Sequence, residues 1–350
     1  MARHRGAMVT SPSPLRLRLN GGALVANWKL LAGMGRGAAC GAAVKADGYG
    51  LGAREVVARL AAAGCRDFFV ASWAEARAIA DLGVSISVLH GVRKEDMAGE
   101  RPPNARPVLN SQTQIRLWLA GGNGAPCDAM VDTGMNRLGI ALADVGSLGG
   151  LAIDTLMSHL ACADEDVPLN ARQRDAFAGL RGRTNARRMS LANSGGIGLG
   201  ADYAFDLTRP GISIYGGRQR AEHEGIAQVV TPEAQIVQRR GVPAGEIVGY
   251  NASFTAPRDM EVAVLNLGYA DGYLRCFSGK GIARVDGIAL PVIGRVSMDL
   301  VAIDVDAMPG LGEGDWVSLD YALPDTSALS GLSQYELITG LGPRFDRVWE

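Results

Sequence analysis

At 350 residues, 47% of them hydrophobic, the chain can bury a large core, as one big domain plus a smaller one or as two mid-sized ones, and needs no disulfide or metal staple to fold. Its 35 basic and 36 acidic residues leave a formal charge of -1, which gives no global attraction to nucleic acid or to an anionic membrane, so a small molecule is the expected partner. Five cysteines, at 40, 65, 127, 162 and 276, form no C-x-x-C pair and suit the reduced thiols of a cytoplasmic protein; no run nears the roughly 20 apolar residues of a membrane span.

In chain order, residues 1–14 read as a flexible tail: Arg3, His4 and Arg5 are followed by no apolar run of the kind that makes a secretory leader. From about 38 to 216, short apolar runs alternate with segments of helical period, the pattern of repeated βα units. Eight strands are expected, at 41–44, 67–70, 86–89, 107–109, 129–131, 155–158, 188–191 and 205–208. Between them, helices at 54–63 and 73–82 end at Gly64 and Gly83, the latter as a C-cap. Eight units read as a (β/α)8 TIM barrel, placed at 15–222, although an open doubly wound sheet shows the same alternation. Beyond 223 the texture becomes β-branched runs broken by Gly and Pro, including 261–267, 282–285, 288–293 and 300–305, and implies a mostly-β C-terminal domain at 223–350. Asp286-Gly287 between two of those runs is a hairpin signal, since a type I′ turn needs positive φ.

In a barrel, the polar residues Lys45, 132–137, His159, Asn193, Ser194 and Arg209 all follow strands, on the face where barrel enzymes keep their active sites. Any one of them alone would read as a solvated rim charge; their recurrence after five strands points to a site. A lysine at a dry rim has its pKa lowered by desolvation, which frees the amine of Lys45 for a Schiff base. The stretches 193–196 and 209–212 supply a hydroxyl and backbone N–H groups after the seventh and eighth strands, where barrels commonly hold phosphate. No G-x-x-x-x-G-K-[ST] string and no strand-linked G-x-G-x-x-G string occurs, so nucleotide binding has no motif behind it.

The strings at 43–52, 131–139, 157–165, 191–196, 209–216, 268–273, 294–299 and 335–348, in that order and spacing, resemble the alanine racemases, pyridoxal phosphate (PLP) enzymes with a barrel joined to a C-terminal β domain. The resemblance implies that Lys45 holds PLP covalently and moves a proton on one face of alanine, with Tyr269 as the opposing base. It implies that Tyr49, Ser194, Gly211 and Ile212 bind the cofactor phosphate, that Arg209 meets the pyridine nitrogen, and that His159 lies beside that arginine. Arg137 is then the residue near the substrate carboxylate, and Met298 a second substrate contact. Because the tyrosine lies in the β domain, the resemblance also implies a head-to-tail homodimer with composite sites, a cytoplasmic location and a supply of D-alanine for peptidoglycan.

The residue types suit that chemistry. Racemisation needs two bases on opposite faces of one carbon, and a tyrosine, with an ordinary pKa near about 10, needs cationic or hydrogen-bonding neighbours to act as one. An arginine facing a pyridine nitrogen stays cationic and makes the ring a weaker electron sink. Two positions depart from some relatives. Met130 stands where they carry a carbamylated lysine that braces the arginine, so Arg137 is expected to be braced otherwise; Pro343 stands where they add a second tyrosine near the phosphate. His4, His90 and His223 have no metal-site spacing and read as exposed or capping, Cys162 as a small buried thiol, and the scattered tryptophans as packing. The rivals are a decarboxylase of the same architecture, which would pair the pyridine nitrogen with a carboxylate where Arg209 stands; a PLP carrier, which would lack the second domain; and a racemase of serine or of broad specificity, which one pocket separates only modestly.

Overall fold

The computed structural model describes residues 12–350, so residues 1–11 of the expected tail lie outside the described residues. The chain forms two compact units: Asn20–Val229, and Val230–Glu350 together with the residues up to Leu19. Leu15–Leu19, read from sequence with the barrel, therefore belongs to the β unit, where its alternation of buried leucines with Arg16 and Arg18 is that of a half-buried strand. Ser13 and Pro14 are tied to the same unit, through bonds to Asp346 and Arg344 and from the Gln235 N–H.

In the first unit, Ala42–Ala43, Asp67–Val70, Ser85–Val88, Ala105–Leu109, Cys127–Asp132, Ile153–Met157 and Arg188–Ser190 pair in that order, all parallel. Their consecutive buried residues, as in Phe68, Phe69 and Val70, are what a sheet covered on both faces demands. The eighth strand, Leu207–Thr208, pairs with Ala39–Cys40. The ring closes where Asp206 N–H donates to Met189 O at 3.0 Å and Arg209 N–H to Ala192 O at 2.8 Å. The expected (β/α)8 barrel is thus the fold, with one difference: the first strand, expected unbroken at 41–44, is split at Gly41 between its two neighbours. A Cβ there would lie 2.7 Å from both Asp67 O and the Phe69 ring, so only glycine passes.

The helices start where local caps permit. Ser72 and Glu75 form a reciprocal capping box on Trp73–Ile79, which runs into a 3₁₀ turn ending at Gly83 (φ 69°). Ser111 caps Gln112–Gly121, and Pro168 occupies the first turn of Pro168–Ala178.

At the N-terminal ends of the strands a belt of charge fills the interior. Arg188 pairs with Asp67 and Asp154, each at 2.8 Å; Arg106 reaches Asp154 at 3.3 Å and Asp128 at 3.4 Å. Asp128 is fully buried and also accepts from Ser87 Oγ at 2.6 Å and Thr155 N at 3.0 Å.

In the second unit, Val230–Val242, Met260–Leu265, Val301–Asp304, Ile288–Ile293, Ile282–Val285 and Trp316–Leu319 pair antiparallel and return to the first, closing a second barrel. Leu15–Leu19 and the parallel Asp346–Trp349 extend it. The 13-residue strand Val230–Val242 serves two sets of partners because its register shifts between Ile236 and Gln238. The expected hairpin is present: Asp286 (φ 50°) and Gly287 (φ 82°) join Val285 to its partner Ile288.

Removing Arg106 leaves Asp128 buried without its cation. Arg106→Met is expected to lower the stability of the barrel unit by about 3 kcal/mol, read as a shift of the urea midpoint at unchanged far-UV circular dichroism. A shift equivalent to less than about 1 kcal/mol would show that Asp128 is held by Ser87 and Thr155 alone.

Candidate active site

Lys45 follows the split first strand and opens a turn that runs left-handed for five residues, Ala46, Asp47, Gly48, Tyr49 and Gly50, with φ between 53° and 87°. For residues other than glycine this conformation costs about 1–2 kcal/mol each. It is held from outside: Glu75 accepts the Ala46 N–H at 2.9 Å, Asp47 accepts the Ala53 N–H at 2.8 Å, and the ring of Tyr49 stacks 4.6 Å from that of Tyr215, whose hydroxyl donates to Ala43 O. Lys45 retains accessible surface, but the protein mass around its ammonium lowers the pKa, Arg137 lowers it further, and Glu75 partly opposes them.

Arg209 is buried, donating to the Ser190 hydroxyl and, at 2.6 Å, to Ser158 O. Burial pushes its pKa down to about 10, still far above neutrality, with Asp128 opposing. His159, after the sixth strand, is driven from 6.5 to about 3 by burial first and then by Arg209, Arg137 and Lys45. The four expected groups are therefore brought together, and the imidazole among three cations is neutral. Among the described residues no carboxylate lies within ion-pair distance of any of the four. Arg137 is exposed and has no hydrogen bond or ion pair to a described residue; Met130, buried on Cys127–Asp132, offers it none.

The other expected barrel residues form a cradle beside this cluster. Ser194 opens the turn Ser194–Gly198, which Asn193 caps by accepting the Gly196 N–H. Its hydroxyl accepts from Gly211 N at 2.9 Å and Ser213 N at 3.3 Å, the place an anion's oxygen would take. A Cβ on Gly211 would fall 2.1 Å from the Tyr49 hydroxyl, so tyrosine and backbone meet only because the residue is glycine. Ile212 follows, fully buried.

Tyr269 and Met298 lie in the β unit and are brought together there. Tyr269 N–H donates to Ser297 O and Ala270 N–H to Met298 O, each at 3.0 Å. Gly268 allows this approach, since a Cβ there would lie 2.2 Å from Met298 O. The buried Asp271 fixes the turn, accepting from Gly268 N and pairing with Arg344, which also holds Asp299. Arg275 lies over the Tyr269 ring, 5.2 Å from its centroid, and the Met298 side chain is 54% exposed.

The sequence reading missed Tyr215, Asp47 and Glu75. Of these, Glu75 was findable, because Ser72 to Glu75 is a capping-box string. Of the two readings of His223, exposed or capping, the structure overturns the first: it is fully buried at the end of the turn Ala221–His223, with Nδ1 3.5 Å from Ser213 Oγ.

A parallel barrel with an amine, two arginines and a neutral imidazole beside an anion cradle at its C-terminal rim, continued by a closed antiparallel β unit, is the arrangement of a barrel-type PLP enzyme. The family models of the alanine racemase N-terminal and C-terminal domains match residues 19–219 and 229–349. The chain is 42% identical to an alanine racemase of Methylobacterium nodulans, over 97% of this chain and 96% of that one. It is 38% identical to a catabolic alanine racemase of Mesorhizobium japonicum, over 95% and 92%. Among solved structures, the alanine racemase of Bartonella henselae with covalently bound pyridoxal phosphate superposes with a TM-score of 0.87 at 34% identity, covering 97% of this chain and 100% of that one. The biosynthetic alanine racemase of Pseudomonas aeruginosa gives 0.85 at 31%, covering 97% and 99%. The chain belongs to the alanine racemase family, whose members are PLP-dependent isomerases.

The His159 environment has a measurable consequence. Because its pKa is depressed, the imidazole is expected to stay neutral from pH 8 to pH 5, with ring NMR shifts that do not move, while an unfolded histidine titrates near 6.5. By linkage, His159 then contributes stability that is present above about pH 6.5 and falls away as the pH drops toward 3. A His159 titration centred near 6 would contradict the geometry.

Proposed function

We propose that this chain interconverts L- and D-alanine with PLP, Lys45 and Tyr269 being the two groups that move the α-proton. The observation that carries this is the clustering of Lys45, Arg137, neutral His159 and buried Arg209 at the strand ends, beside the cradle of Tyr49, Ser194 and Gly211.

These residues fit the cofactor. An amine with a lowered pKa is present for covalent attachment, and the Ser194 hydroxyl already occupies an oxygen position against two backbone N–H groups. Tyr49, Ser194, Gly211 and Ile212 would hold the phosphate, Lys45 the carbonyl carbon, and Arg209 the pyridine nitrogen. When bound, PLP supplies an electron sink that makes the α-hydrogen of an amino acid removable as a proton.

The chain's own residues then set the outcome. Arg209, charged at neutral pH and anchored on Ser190 and Ser158, keeps its protons and leaves the sink weak, which favours prompt return of a proton to Cα. His159, unprotonated, adds no competing acid. Arg137 orients the substrate carboxylate and Met298 bounds the space around the methyl group. Lys45 Nζ exchanges a proton on one face of Cα and the Tyr269 hydroxyl on the other, so removal by one and return by the other inverts the centre.

We infer further that Tyr269 serves the barrel of a second copy in a head-to-tail homodimer. The support is the exposure of Met298 (54%), Leu300 (43%) and Tyr250 (69%) in the β unit that carries it, apolar surface that a partner would cover. The same proposal places the enzyme in the cytoplasm, in keeping with its five free thiols, supplying D-alanine for peptidoglycan. Among the described residues no helix is long and apolar enough to cross a membrane.

Incubation with PLP and L-alanine in heavy water is expected to give D-alanine bearing α-deuterium, followed by chiral chromatography and mass spectrometry. Exchange without inversion would remove Tyr269 from the scheme; neither exchange nor D-alanine would refute the activity. Lys45→Ala should lose the visible absorbance of the bound cofactor, and Tyr269→Phe should keep it but not racemise. Co-expressing these two inactive variants tests the composite site. Random pairing makes half of the dimers mixed, each with one intact site of two, so about a quarter of wild-type activity should return. A tyrosine acting within its own subunit would restore none.

A further inference from the structure

Gln173 has no accessible surface and belongs to none of the site elements above. It projects from Pro168–Ala178 and uses its whole carboxamide: Oε1 accepts the Ala161 N–H at 2.9 Å, while Nε2 donates to His159 O at 3.0 Å and to Thr133 Oγ1 at 3.3 Å. A peptide N–H only donates and a peptide carbonyl only accepts, so the amide has one orientation. Thr133 is also bonded to Ser158 Oγ at 2.8 Å, and Ser158 is the residue whose carbonyl holds Arg209.

One side chain thus ties the segment that carries Arg137 to the segment that carries His159 and supports Arg209. Arg137 needs this, because it has no hydrogen bond or ion pair to a described residue of its own and Met130 offers no charge to hold it. Its place is inherited from its loop. That loop is fixed internally by Asp132, whose Oδ1 accepts from Gly134 N at 2.8 Å and Met135 N at 2.9 Å, and externally by the Thr133–Gln173 bond.

We propose that Gln173 is a positioning residue for recognition of the substrate carboxylate: it sets the reach of Arg137 relative to His159 and Arg209. The assignment rests on the reading of Arg137 given under Proposed function. Gln173→Glu keeps the shape and the bond from Ala161 but loses both donors; Thr133→Val removes the same bridge from the other end and leaves the carboxamide its other two bonds.

In the holoenzyme, both variants are expected to keep the visible absorbance of bound PLP, since Lys45 and the phosphate cradle lie on other strands. KM for alanine should rise about tenfold in either direction, with kcat reduced less than about threefold. A purely structural role would lower the unfolding temperature and leave KM unmoved; that result overturns the proposal, as does loss of the absorbance together with activity. Where Gln173→Glu does not fold, Thr133→Val decides. Wild-type protein that fails to racemise alanine would overturn the proposed function itself, whereas wild-type turnover with an unmoved KM in the variants overturns only the Gln173 assignment.

Discussion

Arg209 carries its charge inside the barrel rim on a serine hydroxyl and a peptide carbonyl, with no carboxylate beside it. Dipoles offset only part of the cost of burying a cation, and the incomplete balance reaches His159 beside it. His159 is kept unprotonated by its burial first and by Arg209 next, and Lys45, already losing hydration, is pressed toward the neutral amine by Arg137. A rim with excess positive charge and few internal partners is poised for an anion carrying its own hydrogen-bond acceptors, which describes a phosphorylated cofactor with a carboxylate substrate. A carboxylate opposite Arg209 would have eased both the burial of its charge and its pressure on His159.

The barrel separates this unbalanced face from a balanced one. Asp67, Ser85, Arg106, Asp128, Asp154 and Arg188 occupy the first or second position of their strands and satisfy one another across the interior, while the site residues come after the last. Tension is admitted only at the end of the barrel that carries the proposed site. The left-handed turn from Ala46 to Gly50 is the local form of the same trade: the strain of three non-glycine residues is met by Glu75, Asp47 and the Tyr49–Tyr215 stack. Those contacts fix the direction in which Lys45 leaves the strand, so the strain is spent on aim.

Much of this was legible in the sequence because it is local. Asp67–Val70, Ile282–Val285 and Ile288–Ile293 are short, mainly apolar runs, broken only by Asp67, Arg284 and Pro291, and the structure gives them the expected bounds. Single polar residues just after such runs are visible for the same reason, which is how Lys45, His159 and Arg209 were found. What was not legible depends on distant partners. Leu15–Leu19 alternates perfectly, but nothing local says that it pairs with Val230–Val242 in the β unit; that long strand is itself masked by Pro232 and by the polar run from Gln238 to Arg240. The break at Gly41 is dictated by Phe69 and Asp67 O, and the burial of His223 by the turns around it. Gln173 looks like any solvated helix residue until the strand-end loops are seen to close over it.

Met130 and Pro343, the two positions where the resemblance leads one to expect other residues, acquire a physical sense in this setting. A charged brace on Arg137 would fix its guanidinium but compete for its donors; Met130 does neither, and the loop itself is instead tied down through Asp132, Thr133 and Gln173. Under the proposed role of Arg137, all five of its N–H groups then remain available to the substrate carboxylate, and an arginine approached in a fork loses little orientational freedom on binding. Pro343 is exposed and offers no hydroxyl, and the proposed anion cradle is built within the barrel unit by itself: Tyr49, the Ser194 hydroxyl and the peptide N–H groups after Arg209. The place of Arg137 is then set by backbone position, which works only as long as the backbone is held, and the strained, multiply bonded loops at the strand ends are what hold it.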